Sequence, residues 1–188
     1  MWSFFSRDPS KDFSFDIGEL VPSLENKSVW TLHKGKRKGS NEEVSVFVFD
    51  SKNNSEAQIE IAKAAVKRLK TLRHPSVLTY LDSLESEKLL YLATEYVDPL
   101  GNHLENLSLE GPQKDLYIAW GIFQITRALS FLNNDGNLRH NNVNIWSVFV
   151  NSSGEWKLGG VEYVTSVQDV NPPFKFISPL DVYSPREE

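Results

Sequence analysis

Six consecutive residues, Val44-Ser45-Val46-Phe47-Val48-Phe49, are β-branched or aromatic at every position but one. Successive side chains of a strand face opposite sides of its sheet, so a half-exposed strand alternates apolar and polar residues. A run without that alternation suits a strand covered on both faces. A short strand at residues 29–32 precedes it, across the basic stretch 33–39. Lys34, Lys36, Arg37 and Lys38 are expected at a solvated hairpin tip, with a phosphate-binding patch as the lesser alternative.

A helix is expected over residues 56–72. Ser55 and Gln58 have the spacing of a capping box, in which each side chain satisfies a free amide of the first turn. Ala62, Ala65, Val66, Leu69 and Leu72 share one face at helical spacing. Lys63, Lys67, Arg68, Lys70 and Arg73 cover the rest, and without interleaved aromatic residues they read as a solvated face rather than a nucleic-acid site. His74-Pro75 ends the helix, because proline disfavours helical geometry in the residue before it. Strands follow at 77–81 and 89–97, around the polar turn 85–88. Pro112 opens a long helix running to about 133, with Gly136 as its stop signal. Apolar residues including Leu116, Trp120, Ile122, Phe123, Ile125 and Leu129 nearly encircle it, which predicts a buried helix. Two short strands, 148–150 and 156–158, flank the turn sequence 151–154. The order of strands, helix, strands, helix and hairpin suggests an α+β domain. Residues 1–28, with Phe4, Phe5, Phe13, Phe15 and Ile17, read as an arm packed on that domain, the alternative being a peptide that docks on a partner or membrane surface.

Composition narrows the function classes. The 188 residues carry a formal charge of −5, which argues against a general polyanion binder. There is no cysteine, so disulfides, thiolate metal sites and cysteine nucleophiles are excluded. No apolar run approaches the roughly 18 residues needed to span a bilayer. The first seven residues lack the basic leader and continuous apolar core of a secretory signal, so a soluble intracellular domain is expected.

Residues 70–97 resemble the protein-kinase pattern in which a helix ends in leucine-arginine-histidine-proline and two strands lead to a hinge. The segments are Leu72-Arg73-His74-Pro75 and Leu90-Tyr91-Leu92-Ala93-Thr94-Glu95-Tyr96-Val97. The resemblance implies a protein-kinase-like α+β fold. It would have a complete N-lobe, an antiparallel sheet plus one helix, at 29–97 and the first part of a helical C-lobe at 98–188, with residues 1–28 as the arm.

The kinase signatures can be followed position by position. Val44-Ser45-Val46-Phe47 stands where kinases carry V-A-I-K, so Phe47 replaces the phosphate-binding lysine. Ala65 replaces the helix glutamate that orients that lysine. His140-Asn141-Asn142-Val143-Asn144-Ile145-Trp146-Ser147 matches the catalytic loop, with Asn142 for the catalytic aspartate and Ser147 for the metal-binding asparagine. An amide has no useful basicity near neutral pH. Lys157-Leu158-Gly159-Gly160-Val161-Glu162 occupies the D-F-G segment, and Gly160 removes its magnesium ligand. Residues 25–30 hold the place of the glycine-rich loop without a glycine. Glu162, two positions off, is a lesser candidate for binding a cation. Leu69, His140 and Val161 match packing positions that join the two lobes. Leu32, Ser45, Glu95 and Phe149 bound a vestigial adenine pocket, partly filled by Phe149. The resemblance thus implies no catalytic residue, no cofactor and no metal.

The motif variants Trp30-Thr31-Leu32-His33-Lys34-Gly35, His140-Asn141-Asn142-Val143 and Gly154-Glu155-Trp156-Lys157-Leu158-Gly159-Gly160, with Met1-Trp2, Phe4-Phe5 and Arg7-Asp8-Pro9, resemble the Scy-like pseudokinase family. That likeness implies an inactive adaptor or scaffold in coatomer-dependent Golgi-to-ER retrograde vesicle traffic. The implied partners are proteins, coatomer and Golgi traffic factors, with no nucleic acid and with peripheral rather than integral membrane association. The implied location is cytoplasmic, at the Golgi or ER–Golgi intermediate compartment. The alternatives are a nucleotide-binding switch and a weak atypical Ser/Thr kinase. Tyr183-Ser184-Pro185-Arg186-Glu187 resembles the end of an activation segment, so a truncated chain is expected, whose long helix exposes apolar surface in isolation.

Overall fold

A computed structural model describes residues 13–169. The aromatic start (Trp2, Phe4, Phe5), the Arg7-Asp8-Pro9 segment and residues 183–187 lie outside the described residues.

Five antiparallel strands form the upper lobe: β1 (Phe15–Leu20), β2 (Thr31–Arg37), β3 (Glu43–Asp50), β4 (Tyr80–Glu85) and β5 (Leu89–Glu95), in the order β1-β2-β3-β5-β4. The apolar run lies on β3, near the middle of the sheet, and both of its faces are covered. Phe47 and Phe49 join the main core, whereas Val44 and Val46 join a second cluster with Phe13, Phe15 and Tyr91. Phe13 stacks on Tyr91 with ring centres 5.5 Å apart and meets Phe15 edge-on at 5.4 Å.

Three expectations are corrected here. Residues 13–28 are not an arm, because β1 pairs with β2 (Phe15 opposite Arg37, Ile17 opposite Gly35) as an edge strand of the lobe. Only Phe15 of β1 is buried, so alternation gave no signal for the strand. Lys34, Lys36 and Arg37 lie within β2 rather than at a hairpin tip. The strand expected from residue 77 begins at Tyr80. Residues 76–78 instead pair with Leu158, through Leu158 N–H to Ser76 O at 2.7 Å and Leu78 N–H to Leu158 O at 3.0 Å.

Helix α1 (Glu56–Thr71) starts at the capping box: Ser55 Oγ accepts from Gln58 N–H at 3.3 Å, and Gln58 Oε1 accepts from Ser55 N–H at 2.9 Å. Its face of Ile61, Ala62, Ala65, Val66 and Leu69 is buried. On the opposite face Lys63 pairs with Glu85 at 2.9 Å, and the Lys70 ammonium lies over the Tyr80 ring.

The lower lobe contains β6 (Val97–Pro99), α2 (Leu100–Glu105), α3 (Gly111–Ser130), β7 (Leu138–Arg139), β8 (Val148–Asn151), β9 (Trp156–Leu158) and β10 (Thr165–Ser166). A wider helical turn, Phe131–Asp135, extends α3. Strands β6, β8 and β9 form one small sheet, and β7 pairs with β10. The expectation of a buried α3 fails. Gly121, Ile125 and Ala128 are its buried residues, while Leu116 is 73% and Phe123 57% exposed. The apolar face that the resemblance led us to expect is present. Among the described residues no helix is long and apolar enough to cross a membrane.

Candidate functional site

The cleft between the lobes holds a cavity of about 250 Å³ whose wall includes Phe47, Ala65, Asn142, Ser147 and Gly160. Five positions 113 residues apart in sequence at the extremes, 160 minus 47, are therefore gathered at one place. Residues 26–30, the connection between β1 and β2, also line it. Lys27 crosses toward the lower lobe, its ammonium 5.4 Å from the centre of the Trp146 ring.

The back of the cleft is hydrocarbon. Phe47, projecting from the central strand, meets Phe149 of β8 edge-on, with ring centres 5.5 Å apart and planes at 90°. Such a pair adds about 0.5–1.5 kcal/mol beyond its buried area. Phe149 fits because residue 159 is glycine; a Cβ there would come within 2.6 Å of the ring. Ala65 and Leu69 of α1 complete this wall. No ammonium or carboxylate stands at positions 47 and 65, so β3 and α1 form no ion pair there.

The front is a network of amides. Asn144 donates to Asn142 Oδ1 at 2.8 Å and accepts from Trp146 N–H at 2.8 Å. Asn142 Nδ2 reaches Gly160 O at 3.4 Å, and Ser147 Oγ donates to Asn144 O at 2.9 Å. Gly160 sits at φ +63°, and an added Cβ would lie 2.5 Å from Ser147 Cβ and 2.9 Å from Asn142 Nδ2. A carboxylate at position 160 is thus opposed by backbone conformation and by space together.

His140 is buried. Its Nε2 lies 2.7 Å from Gly159 O, and its Nδ1 lies 3.2 Å from Asn142 N. A carbonyl only accepts and an amide N–H only donates, so the ring is the neutral tautomer with hydrogen on Nε2. Burial lowers its pKa to about 4, against the bond to Gly159, which raises it. Both nitrogens are used, and the ring has no lone pair for a substrate.

Of the four residues expected to bound an adenine pocket, only Phe149 lines the cavity. Leu32 is fully buried in the core. Ser45 Oγ donates to Val97 O at 3.1 Å and accepts from Val97 N–H at 2.9 Å, tying β3 to β6. Glu95 accepts from Thr79 N–H at 2.9 Å and pairs with Lys157 at 3.5 Å. Lys157 also donates to Pro75 O at 2.7 Å, so one buried lysine joins β9, the hinge and the end of α1. Sequence reasoning missed Lys157, Lys27, Asn144 and Trp146. The run of amides and apolar side chains at 141–146 was the available signal for the last two.

Glu162 lines the same cavity from the 3-10 turn Val161–Tyr163, which packs against α1, and burial pushes its pKa up to about 7. It stands with no grouping of three His, Asp or Glu side chains that could hold a metal ion among the described residues. The same desolvation raises the Tyr163 hydroxyl to about 12, with the Glu162 charge adding to it.

No family model matches the chain. Among curated proteins it is 43% identical over 162 residues to the probable inactive serine/threonine-protein kinase scy1 of Dictyostelium discoideum, covering 86% of this chain and 19% of that protein. It is 35% identical over 172 residues to mouse SCY1-like protein 2, covering 81% of this chain and 18% of the relative. It is 26% identical over 191 residues to the protein kinase-like protein SCY1 of Saccharomyces cerevisiae, covering 84% of this chain and 24% of the relative. The chain thus spans about a fifth of the length of these relatives. With its kinase-like sheet and helices and these similarities, the chain belongs to the Scy1-like family of pseudokinases.

Proposed function

We propose that this chain is a non-catalytic adaptor module, folded like a kinase and unable to transfer phosphate. The observation that carries the reading is the sealed back of the cleft. Phe47 and Phe149 occupy with carbon the space where an ammonium would hold phosphates, and Gly160 has no room for a carboxylate. Catalysis of phosphoryl transfer is almost entirely positioning and electrostatic stabilisation by such groups. Asn142 supplies no base in their place, and both His140 ring nitrogens are committed, Nε2 as donor and Nδ1 as acceptor.

The specific losses at Phe47, Ala65, Asn142, Ser147 and Gly160 are part of this reading. So is a cytoplasmic scaffold at the Golgi and ER–Golgi intermediate compartment, acting in coatomer-dependent retrograde traffic. Coatomer and Golgi traffic factors would be its protein partners; nucleic acid would not be one, and its membrane association would be peripheral. Support for these cellular assignments comes from the resemblance of the motif variants to the Scy-like family.

A nucleotide-binding switch is the second reading, favoured by the cavity itself. At about 250 Å³ that cavity falls below the roughly 300–1,000 Å³ of typical ligand pockets. One pair of measurements separates the readings. Incubation with radiolabelled ATP and magnesium or manganese is expected to give no transfer, and transfer abolished by a change at Asn142 or Phe149 would sink the adaptor reading. A thermal-shift titration with ATP, with and without magnesium, is expected to show no saturable rise. A saturable rise without transfer would favour the switch.

A further inference from the structure

One acid in the cleft stands apart from every network described above. Glu162 is 7% exposed and forms part of the cavity wall. Among the described residues its carboxylate receives a hydrogen bond from its own backbone and no donor from another side chain. Arg68 of α1 is near enough to act on it electrostatically, yet the two form no ion pair within 4 Å, and the buried Arg68 Nη1 has no acceptor. The fold therefore holds a desolvated acid facing a space large enough for a small molecule. A buried carboxylate with a single backbone donor is under-satisfied, and a donor entering that space would use its remaining acceptor capacity.

The rest of the wall specifies the donor. The same cavity is lined by Phe47, Ala65, Leu92 and Phe149, a surface for an apolar or aromatic body. Gln58, Asn142 and Asn144 also line the cavity, and their carboxamides are neutral, so they set no charge against an ammonium. We propose that the cavity is a binding site for a small organic amine, its ammonium against Glu162 and its apolar body against the Phe47–Phe149 pair. The acid of this site comes from the 3-10 turn of the lower lobe, and its apolar wall from β3 and β8. Other charges bear on it: Arg68 from α1, itself attracted by Asp169, and Lys27, which lines the cavity and lies over Trp146, oppose the ammonium, and the Tyr163 hydroxyl is neutral.

Benzylamine is a suitable probe, with benzyl alcohol as its neutral counterpart. Calorimetric titration of the full chain at pH 8 is expected to give saturable binding of benzylamine and none of the alcohol. At pH 6 the affinity is expected to fall about tenfold, as Glu162 takes up its proton around pH 7. Glu162→Gln is expected to abolish binding with the acid removed. Ala65→Leu is expected to abolish it by filling the cavity while the acid remains, which keeps the proposal testable if either variant folds poorly. No saturable binding at pH 8, equal binding of the alcohol, or unchanged binding in both variants would overturn it. ATP binding or transfer is read separately, so failure here leaves the adaptor reading standing.

Discussion

The two long helices of this molecule were built by opposite rules. Helix α1 carries a narrow apolar stripe of Ile61, Ala62, Ala65, Val66 and Leu69, and every one of these residues is buried. Helix α3 is apolar nearly all round, yet only Gly121, Ile125 and Ala128 are buried. The stripe of α1 is covered by the 3-10 turn Val161–Tyr163 and by strands β4 and β5. The contacts of α3 are concentrated on the β8–β9 hairpin, where Trp156 N–H donates to Gln124 Oε1 at 2.8 Å and the Trp156 ring meets Tyr117 edge-on. A narrow stripe therefore specifies its own burial, whereas an all-round apolar helix specifies only that partners are needed on several sides.

The sharpest way to break this comparison is to cut the tie of α3. Trp156 is 5% exposed, and Trp156→Ala is expected to cost about 3–5 kcal/mol in urea unfolding. A cost below about 1 kcal/mol would mean that α3 is held elsewhere.

A smaller effect, and one that depends on pH, is expected where α1 docks on the 3-10 turn. Glu162 titrates at about 7 when folded against 4.5 ordinarily, so between those values the folded chain keeps a proton that the unfolded chain has lost. Its contribution to stability therefore falls as pH rises from about 4.5 to 7. His140 works the other way. Its pKa is about 4 when folded against 6.5, so its contribution rises as pH climbs through that window. The two slopes oppose each other between about pH 4.5 and 6.5 and nearly cancel. Glu162→Gln should unmask the rising histidine limb and gain on the order of 3 kcal/mol at pH 8, with little gain at pH 4.5. Equal gains at both pH values in urea titrations would contradict a buried, titrating acid.

The smallest expected effect tests the open side of α3. Phe123 is 57% exposed, and the Arg127 guanidinium lies over its ring at 5.9 Å from the centre. Phe123→Ser should therefore change stability by less than about 1 kcal/mol. A loss above about 2 kcal/mol would mean that this face is covered in solution.

These contrasts also separate what was legible in the sequence from what was not. The start of α1 was legible because Ser55 and Gln58 act within four residues of each other. The central strand was legible because its apolar run needs no knowledge of the rest of the chain. Strand β1 was not, since Asp16, Gly18 and Glu19 contribute no buried side chain and its place depends on pairing with β2. The burial of α3 was misread because composition records a need for partners without supplying them. In the cleft, Phe47, Ala65, Asn142, Ser147 and Gly160 were found by motif spacing, and the structure places them around one cavity. Spacing gave no warning that Ser45 and Glu95 would be turned to structural bonds. Those bonds depend on Val97 and on Lys157, the latter 62 residues beyond Glu95 (157 minus 95).

The bonds of Lys157 to Pro75 and Glu95 lie beside the backbone pairing of Leu158 with Ser76 and Leu78. Together they join the lobes through main chain and a buried cation, so pulling β9 away from residues 75–78 requires that all of them part. The molecule is in that respect a fixed bracket. A partner that grips both lobes meets its second foothold at a set separation and orientation once the first is made. Its second contact then forms at a high effective concentration without any loss of flexibility to overcome.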